Sequence, residues 1–226
     1  MKKMFPLCLV LIFCAAAASA RALPARADVV VHVESCEAVL QEFESDPALA
    51  IPRQVLQSAH ALVILNQFKA GLLFGIKGGY GVILVKRPNG TWSVPALLNA
   101  SELSAGLQLG AKSVETIYVI TDDETPRLLF KERFTVGVEA KAVAGPHAAE
   151  VESDLHSKFA PLLAYTKAVG LYAGANLTAA VIERDDDADA VLYSTVHTMP
   201  ELLYSDWVTP PVEVQPLMAY VQRLTR

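Results

Sequence analysis

Gln67-Phe-Lys-Ala-Gly-Leu-Leu-Phe-Gly-Ile-Lys-Gly-Gly-Tyr-Gly-Val-Ile-Leu-Val-Lys-Arg-Pro-Asn-Gly-Thr-Trp-Ser-Val-Pro95 reads as a glycine-interrupted strand, a tight turn and a second strand. Pro88-Asn89-Gly90 supplies the turn: proline presets φ, and Asn-Gly provides the positive φ that a hairpin loop needs. Thr91-Trp92-Ser93-Val94 then alternates polar and apolar, as a half-buried strand does. Eight of the twelve glycines fall between Gly71 and Gly110. Glycine weakens a strand, so within one it marks a bulge, a sharp corner or a close backbone approach. Gly78-Gly79-Tyr80-Gly81 is therefore expected at a bend in a strongly curved sheet. A phosphate loop would need a helix N-terminus after its glycines. Here they lead into Val82-Ile83-Leu84-Val85, a buried-strand run, and no Gly-Lys-Ser/Thr occurs in the chain.

The chain begins with Lys2-Lys3 and an uncharged apolar run from Met4 to Ala20. Ala18-Ser19-Ala20 and Ala25-Arg26-Ala27 both suit cleavage between small residues, so residues 1–27 are expected to form a secretory signal peptide, cut near residue 20 or 27. A retained anchor is the alternative. Residues 28–226 are enough for one domain with a sizeable core. Cys8 and Cys14 would leave with the leader, and Cys36, alone, is expected on the buried face of a helix rather than in a disulfide.

The whole chain has 19 basic and 24 acidic residues, a net charge of −5. Removing residues 1–27 takes away four bases and no acid, leaving 15 − 24 = −9. Such a balance gives no general attraction to nucleic acid. Its distribution is uneven. No acidic residue falls between Pro47 and Ser101, where Arg53, Lys69, Lys77, Lys86 and Arg87 lie. Glu183 and Asp185-Asp186-Asp187-Ala188-Asp189 lie outside that segment.

Val33, Cys36, Val39, Leu40 and Phe43 recur at helical spacing, and Asp46-Pro47 ends that helix. A short helix is expected over Pro52–Ser58. Strands are expected at His60–Asn66, through the glycine hairpin, at Glu102–Lys112, Thr116–Thr121, Phe134–Val143, Leu155–Tyr165 and Leu171–Glu183. Asp122 or Thr125 can cap a helix near Pro126–Lys131. Helices are expected at Ala188–Tyr193, led by the aspartates, near Pro200–Tyr204, and at the C-terminus with Val214, Leu217, Met218, Val221 and Leu224 as its apolar stripe. The class that follows is α+β, with a curved, barrel-like antiparallel β core and flanking N- and C-terminal helices.

Three groups of residues resemble the core motifs of the SYLF lipid-binding domain family: Lys69-Ala70-Gly71-Leu72-Leu73-Phe74-Gly75, Gly78-Gly79-Tyr80-Gly81-Val82 and Asn89-Gly90-Thr91-Trp92-Ser93-Val94-Pro95. Further pieces follow in the family's order: Gly106-Leu107-Gln108-Leu109-Gly110-Ala111, Ala144-Gly145-Pro146, and Tyr165-Thr166-Lys167 with Gly170-Leu171-Tyr172-Ala173-Gly174. The resemblance runs from about Val33 to Leu224. The chain departs from the pattern at His147-Ala148-Ala149, where the family usually has a basic residue, and at Val169 and Thr178, where it often has charges.

The resemblance implies a non-catalytic protein that binds acidic phospholipid or phosphoinositide-type headgroups, here at the surface of a bacterial cell envelope or in the periplasm. Some eukaryotic relatives act with actin, which an exported protein would not meet. In this chain Lys69, Lys77, Lys86 and Arg87 are expected to hold a phosphate, with Phe68, Phe74, Tyr80 and Trp92 against acyl chains or headgroup-level apolar surface. Gly71, Gly75, Gly78, Gly79, Gly81, Gly170 and Gly174 are expected to be structural. A protein-interaction module of the envelope, using a sheet edge or the acidic face, is the rival reading. No Gly-x-Ser-x-Gly, Cys-x-x-Cys or His-Glu-x-x-His occurs. One constellation, His147, Glu150, Glu152, Asp154 and His156, has spacing that could serve a metal-assisted hydrolase. The simpler reading is a solvated polar segment, so no catalytic residue, metal or cofactor is expected.

Overall fold

The computed structural model describes residues 22–71, 74–105, 110–131, 133–135, 142–144, 162–170 and 181–226. Apolar residues at 29, 33, 36, 39, 40 and 43 make one stripe of helix α1 (Arg26–Ser45), and all six are buried. The helix stops where Asp46, ahead of a proline, turns to the extended region at φ −99°, ψ 111°. Burying a large aliphatic or aromatic side chain is worth about 1.5–3 kcal/mol. This stripe therefore outweighs the lack of any side-chain cap at Ala25.

Helix α2 (Arg53–Gln57) leads into strands β1 (Ala61–Gly71), β2 (Phe74–Val85), β3 (Ala96–Ala105) and β4 (Gly110–Ile120). Helix α3 (Thr125–Leu128), strands β5 (Arg133–Thr135), β6 (Ala142–Ala144), β7 (Leu162–Gly170) and β8 (Val181–Arg184), and helices α4 (Asp186–Tyr193), α5 (Met199–Tyr204) and α6 (Gln215–Leu224) follow. One sheet runs β5-β8-β3-β2-β1-β4-β7-β6. Its pairs are antiparallel except β6 with β7, which are parallel. The α+β class and the antiparallel core with terminal helices are as expected. The described strands leave the sheet open: β5 and β6 stand at its two edges rather than closing on each other.

Alternation along the strands splits the core in two. Leu62, Ile64, Val82, Leu84, Leu97, Ile117, Val119 and Leu163 face α1, α4 and α6. Ala61, Val63, Leu65, Ile83, Leu98, Tyr118, Ile120 and Leu162 face the other way, against α5, Leu129 and Val208. We call these the α1 face and the α5 face.

Several element boundaries differ from those expected. The Pro88-Asn89-Gly90 turn is present, with Gly90 at φ 79° and the Asn89 side chain accepting from the Thr91 amide at 3.0 Å. The segment after it is not a regular strand. Trp92 makes a single bridge to Lys86, the Ser93 hydroxyl takes the Val85 amide at 2.9 Å, and Pro95, which has no N–H, breaks the ladder. The hairpin partner of β1 is β2, so the glycine-rich stretch is split between two strands. Glu102–Lys112 is also divided, β3 ending at Ala105 and β4 starting at Gly110. β7 carries on through Gly170, because residues 166–170 pair with Lys112–Thr116. Of Phe134–Val143, only 134–135 and 142–143 fall in described strands, β5 and β6; residues 155–161 and 171–180 of the other two expected strands lie outside the described residues.

Capping chemistry sets the short helices. The Asp122 carboxylate accepts from the Thr125 amide at 2.6 Å and from the Glu124 amide at 2.7 Å at the start of α3. Asp185 caps α4 through the Ala188 amide. Thr198 and Glu201 form a reciprocal capping box on α5. Asp189 is only 2% exposed, and its carboxylate accepts from the Leu97 amide at 2.9 Å. Burial drives its pKa well above the usual carboxylate range. Cys36 is buried against the Ile64 carbonyl, and burial pushes its thiol up to about 12.

Candidate functional site

The site grows out of strand register. Lys69 on β1 lies directly opposite Lys77 on β2 and Lys112 on β4. Lys77 in turn lies opposite Glu102 on β3. Directly opposed residues share a face, so four adjacent strands carry one row: Glu102, Lys77, Lys69, Lys112. By alternation this row belongs to the α5 face. Like charges in direct opposition destabilise a sheet. Three lysine positions against one glutamate position in the register make this row the candidate for an anion.

The rows on either side suit such a ligand. The next row outward is Ser104, Gly75, Gly71 and Gly110. Three of its four positions are glycine. The next row inward is Ala100, Gly79, Gln67 and Val114. Gln67 is 1% exposed, and its amide nitrogen is buried with no hydrogen-bond partner. A buried unpaired donor is costly, and this one is on the face that carries the lysines.

Gly79 and Gly81 have a different role from the bend expected of them. A Cβ on Gly79 would lie 2.6 Å from the Gln67 Cα and closer still to the Asn66 carbonyl oxygen. A Cβ on Gly81 would meet the Ile64 carbonyl and Leu65. Both glycines permit close approach of β1. Gly78 has nothing within 4 Å of such an atom. Gly170 falls opposite Lys112, and Gly174 lies outside the described residues.

The expected lipid-binding residues do not form one cluster. Lys69 and Lys77 share a face, but as partners on neighbouring strands. Phe68, Phe74 and Tyr80 occupy positions of the opposite, α1 face. Phe68 is 56% exposed, whereas Tyr80 stacks on His32 with ring centroids 3.8 Å apart. Trp92 is buried and donates its indole N–H to the Thr225 hydroxyl at 2.8 Å, so it is a core residue and not a headgroup contact. Arg87 is spent on the carbonyls of Leu203 and Leu202 at the end of α5, at 3.4 and 3.5 Å. Lys86 and Arg87 also stand far from Lys77, nine residues or about 30 Å along an extended strand. Lys112, which completes the row, and Gln67, in the row beside it, were not singled out from the sequence. Lys112 meets Lys69 only through the β1–β4 pairing, which skips two intervening strands.

The α1 face carries its own polar row in register: Glu183, Asn99, Tyr80, Asn66, Glu115 and Lys167 on six consecutive strands. Lys167 bonds Glu42 of α1 and lies 3.6 Å from Glu115. The bond to Glu42 holds its pKa above the usual range. This row fastens α1 to the sheet. An open cleft of about 640 Å³ lies at its Glu183 end, lined by Asn99, Arg133, Arg184 and Asp185–Asp187. Its arginines are paired with Glu183 at 2.8 Å and Asp186 at 3.0 Å. Among the described residues no group of His, Cys, Asp or Glu could hold a metal ion, and no helix is long and apolar enough to cross a membrane. The His147–His156 constellation lies outside the described residues.

Comparison with known proteins bears on which family this geometry belongs to. A family profile described as "Ysc84: Las17-binding protein actin regulator" matches residues 101–224. An SH3 domain-containing protein of Schizosaccharomyces pombe is 30% identical over 74% of this chain and 40% of its own length. The SH3 domain-containing YSC84-like protein 1 of Bos taurus is 26% identical over 83% of this chain and 57% of its own length. LAS seventeen-binding protein 3 of Saccharomyces cerevisiae is 28% identical over 80% of this chain and 40% of its own length. The chain thus spans between 40% and 57% of these relatives. With a profile covering more than half of it and relatives matched along most of its length, the chain belongs to the Ysc84 family, the SYLF family that its glycine motifs resemble.

Proposed function

We propose that the chain is a non-catalytic module that binds an anionic lipid surface, and that it does so in a cell envelope after export. The observation that carries this reading is the row Lys77–Lys69–Lys112, bordered by three glycines and by the orphaned amide of Gln67. The phosphate of a lipid headgroup would relieve the repulsion within the row and accept charge-assisted hydrogen bonds. Export is supported by Lys2-Lys3 and the apolar run to Ala20. A boundary near residue 27 would fall in the first turn of α1, whereas Ala20 lies ahead of it.

The net charge of −9 that follows loss of residues 1–27 gives no long-range pull toward an anionic bilayer, and salt screens what remains within about 10 Å at 0.1 M. Binding by this route depends on local contact at the row. Flotation with phosphatidylglycerol and phosphatidylcholine vesicles, at low and high salt, tests it. Preference for the anionic vesicles that survives moderate salt is expected. Equal binding to both would overturn the basic-row assignment.

A second reading has support of its own. One relative is named for binding Las17, and the family description carries the same words. A protein-interaction module follows if no vesicle of any composition is bound and one envelope protein is retained.

A further inference from the structure

The side-chain nitrogen of Gln67 is buried without a hydrogen-bond partner, and the residues around it in the sheet show why. In its own row Gln67 lies between Gly79 and Val114, with Ala100 beyond Gly79. None of these has a side-chain acceptor. The Gln67 Cγ is 2.9 Å from the point that a Gly79 Cβ would occupy, so its stem lies over that glycine. One row inward stand Leu98, Gly81, Leu65 and Thr116. The Thr116 hydroxyl is engaged with that of Thr166 at 3.3 Å. One row outward the positions on β1 and on both flanking strands are Lys69, Lys77 and Lys112, and lysine offers donors but no acceptor. The neighbourhood is not sealed: Thr166, one row inward and two strands over, is exposed.

We infer that the ligand supplies the missing acceptor: Gln67 donates to an ester carbonyl of a glycerophospholipid whose phosphate is held at the lysine row. The inference rests on the reading of that row as the lipid site, and it names the class of lipid and the residue that selects it. Two features favour a carbonyl over a second phosphate oxygen. Leu65, Leu98, Ala100 and Val114 around Gln67 are buried and apolar, and a charged oxygen facing one neutral amide there costs more than an uncharged one. Lys69 and Gln67 are two residues apart, about 7 Å along an extended strand, and glycerol sets the ester carbonyls off from the phosphate in the same sense, toward the apolar part. Gln67 then destabilises the empty protein, as an unpaired buried donor, and gains a hydrogen bond on binding. Its replacement by an apolar residue of like size raises stability and lowers affinity, whereas a residue kept for packing would lose stability and leave affinity alone.

Flotation of the full chain with two kinds of phosphatidylglycerol vesicle, one of diacyl and one of dialkyl ether lipid, keeps the charge and removes the carbonyls. The unaltered protein is expected to bind the diacyl lipid about threefold to tenfold more tightly, the worth of one hydrogen bond. Gln67→Leu is expected to bind both vesicles as the unaltered protein binds the ether lipid, and to melt at a higher temperature when no lipid is present. Equal binding of the two lipids by the unaltered protein would overturn the carbonyl contact and leave the lysine row standing. A Gln67→Leu protein that melts lower and keeps the ester preference would assign Gln67 to packing and overturn its role in selection. Absence of binding to either vesicle would overturn the lysine row and this inference with it. If Gln67→Leu fails to fold, the comparison of the two lipids on the unaltered protein decides alone.

Discussion

Lys69 and Lys77 face each other directly across the β1–β2 pair, with Lys112 completing the row on the far side of Lys69. Like charges in opposition disfavour strand pairing by up to about 1 kcal/mol, so replacing them is not expected to weaken the sheet. Lys69→Glu with Lys77→Glu is expected to weaken binding to phosphatidylglycerol vesicles at least tenfold, about 1.4 kcal/mol, without lowering the melting temperature. Flotation and a thermal melt of the same preparation check both. Unaltered anionic binding would remove the row from the site.

Arg87 provides the contrast. Its guanidinium is committed to the last carbonyls of α5. Arg87→Ala is expected to cost about 1 kcal/mol of stability by uncapping that helix and to leave vesicle affinity as it was. Loss of binding at unchanged stability would return Arg87 to the ligand site.

Gly78 and Gly79, adjacent in sequence, are expected to respond oppositely. Gly79→Ala drives a methyl group into β1 backbone and should destabilise by roughly 2 kcal/mol or more. Gly78→Ala meets open space and should be neutral, or stabilise by a few tenths of a kcal/mol by restricting the unfolded chain. Urea titration of the two variants side by side measures the difference.

Asp189 gives stability a pH dependence. Burial raises its pKa in the folded state above the unfolded value of about 3.9. The folded protein thus holds this proton more tightly, so the contribution is fully present below the unfolded value and is lost as pH rises through the folded one. Asp189→Asn removes that titration. The variant is expected to gain stability relative to the unaltered protein as pH is raised from 4 to 8, as followed by chemical denaturation across that range. A parallel pH profile for the two proteins would show that the carboxyl does not titrate in this way.

Cys36 is expected to be inert while the protein is folded, because the thiol is buried and its pKa is pushed up to about 12. Labelling by iodoacetamide at pH 8 should proceed at the rate of unfolding and rise with urea. Prompt stoichiometric labelling in buffer would contradict the packing of α1.

The helices were legible because each depends on neighbours in sequence. The stripe from Val33 to Phe43 and the aspartates before Ala188 act within a few residues. The strands were legible as to type and poorly as to limits. Glu102–Lys112 alternates without a break in the sequence, and only pairing shows that it belongs to β3 and β4. Aromatic residues misled for a related reason. Trp92 and Tyr80 carry the composition of a binding surface, but Thr225 and His32, far away in the chain, take them into the core or onto α1. Lys69 and Lys77 were legible as candidate bases. Their direct opposition, and the arrival of Lys112 beside them, followed from a register that spacing does not encode.

The contact between Trp92 and Thr225 ties the segment after β2 to the residue that follows α6, and α6 closes the same core over α1 through Leu217 and Val221. The apolar stripe of α1 is made well before α6, which covers it. At 5–20 residues per second, some ten seconds or more of synthesis separate the emergence of α1 from that of the helix that shelters it. Until α6 arrives the chain holds an amphipathic helix with its buried side open, a state suited to capture by a chaperone or a translocation channel. Final closure falls to α6, on whichever side of a membrane it is released.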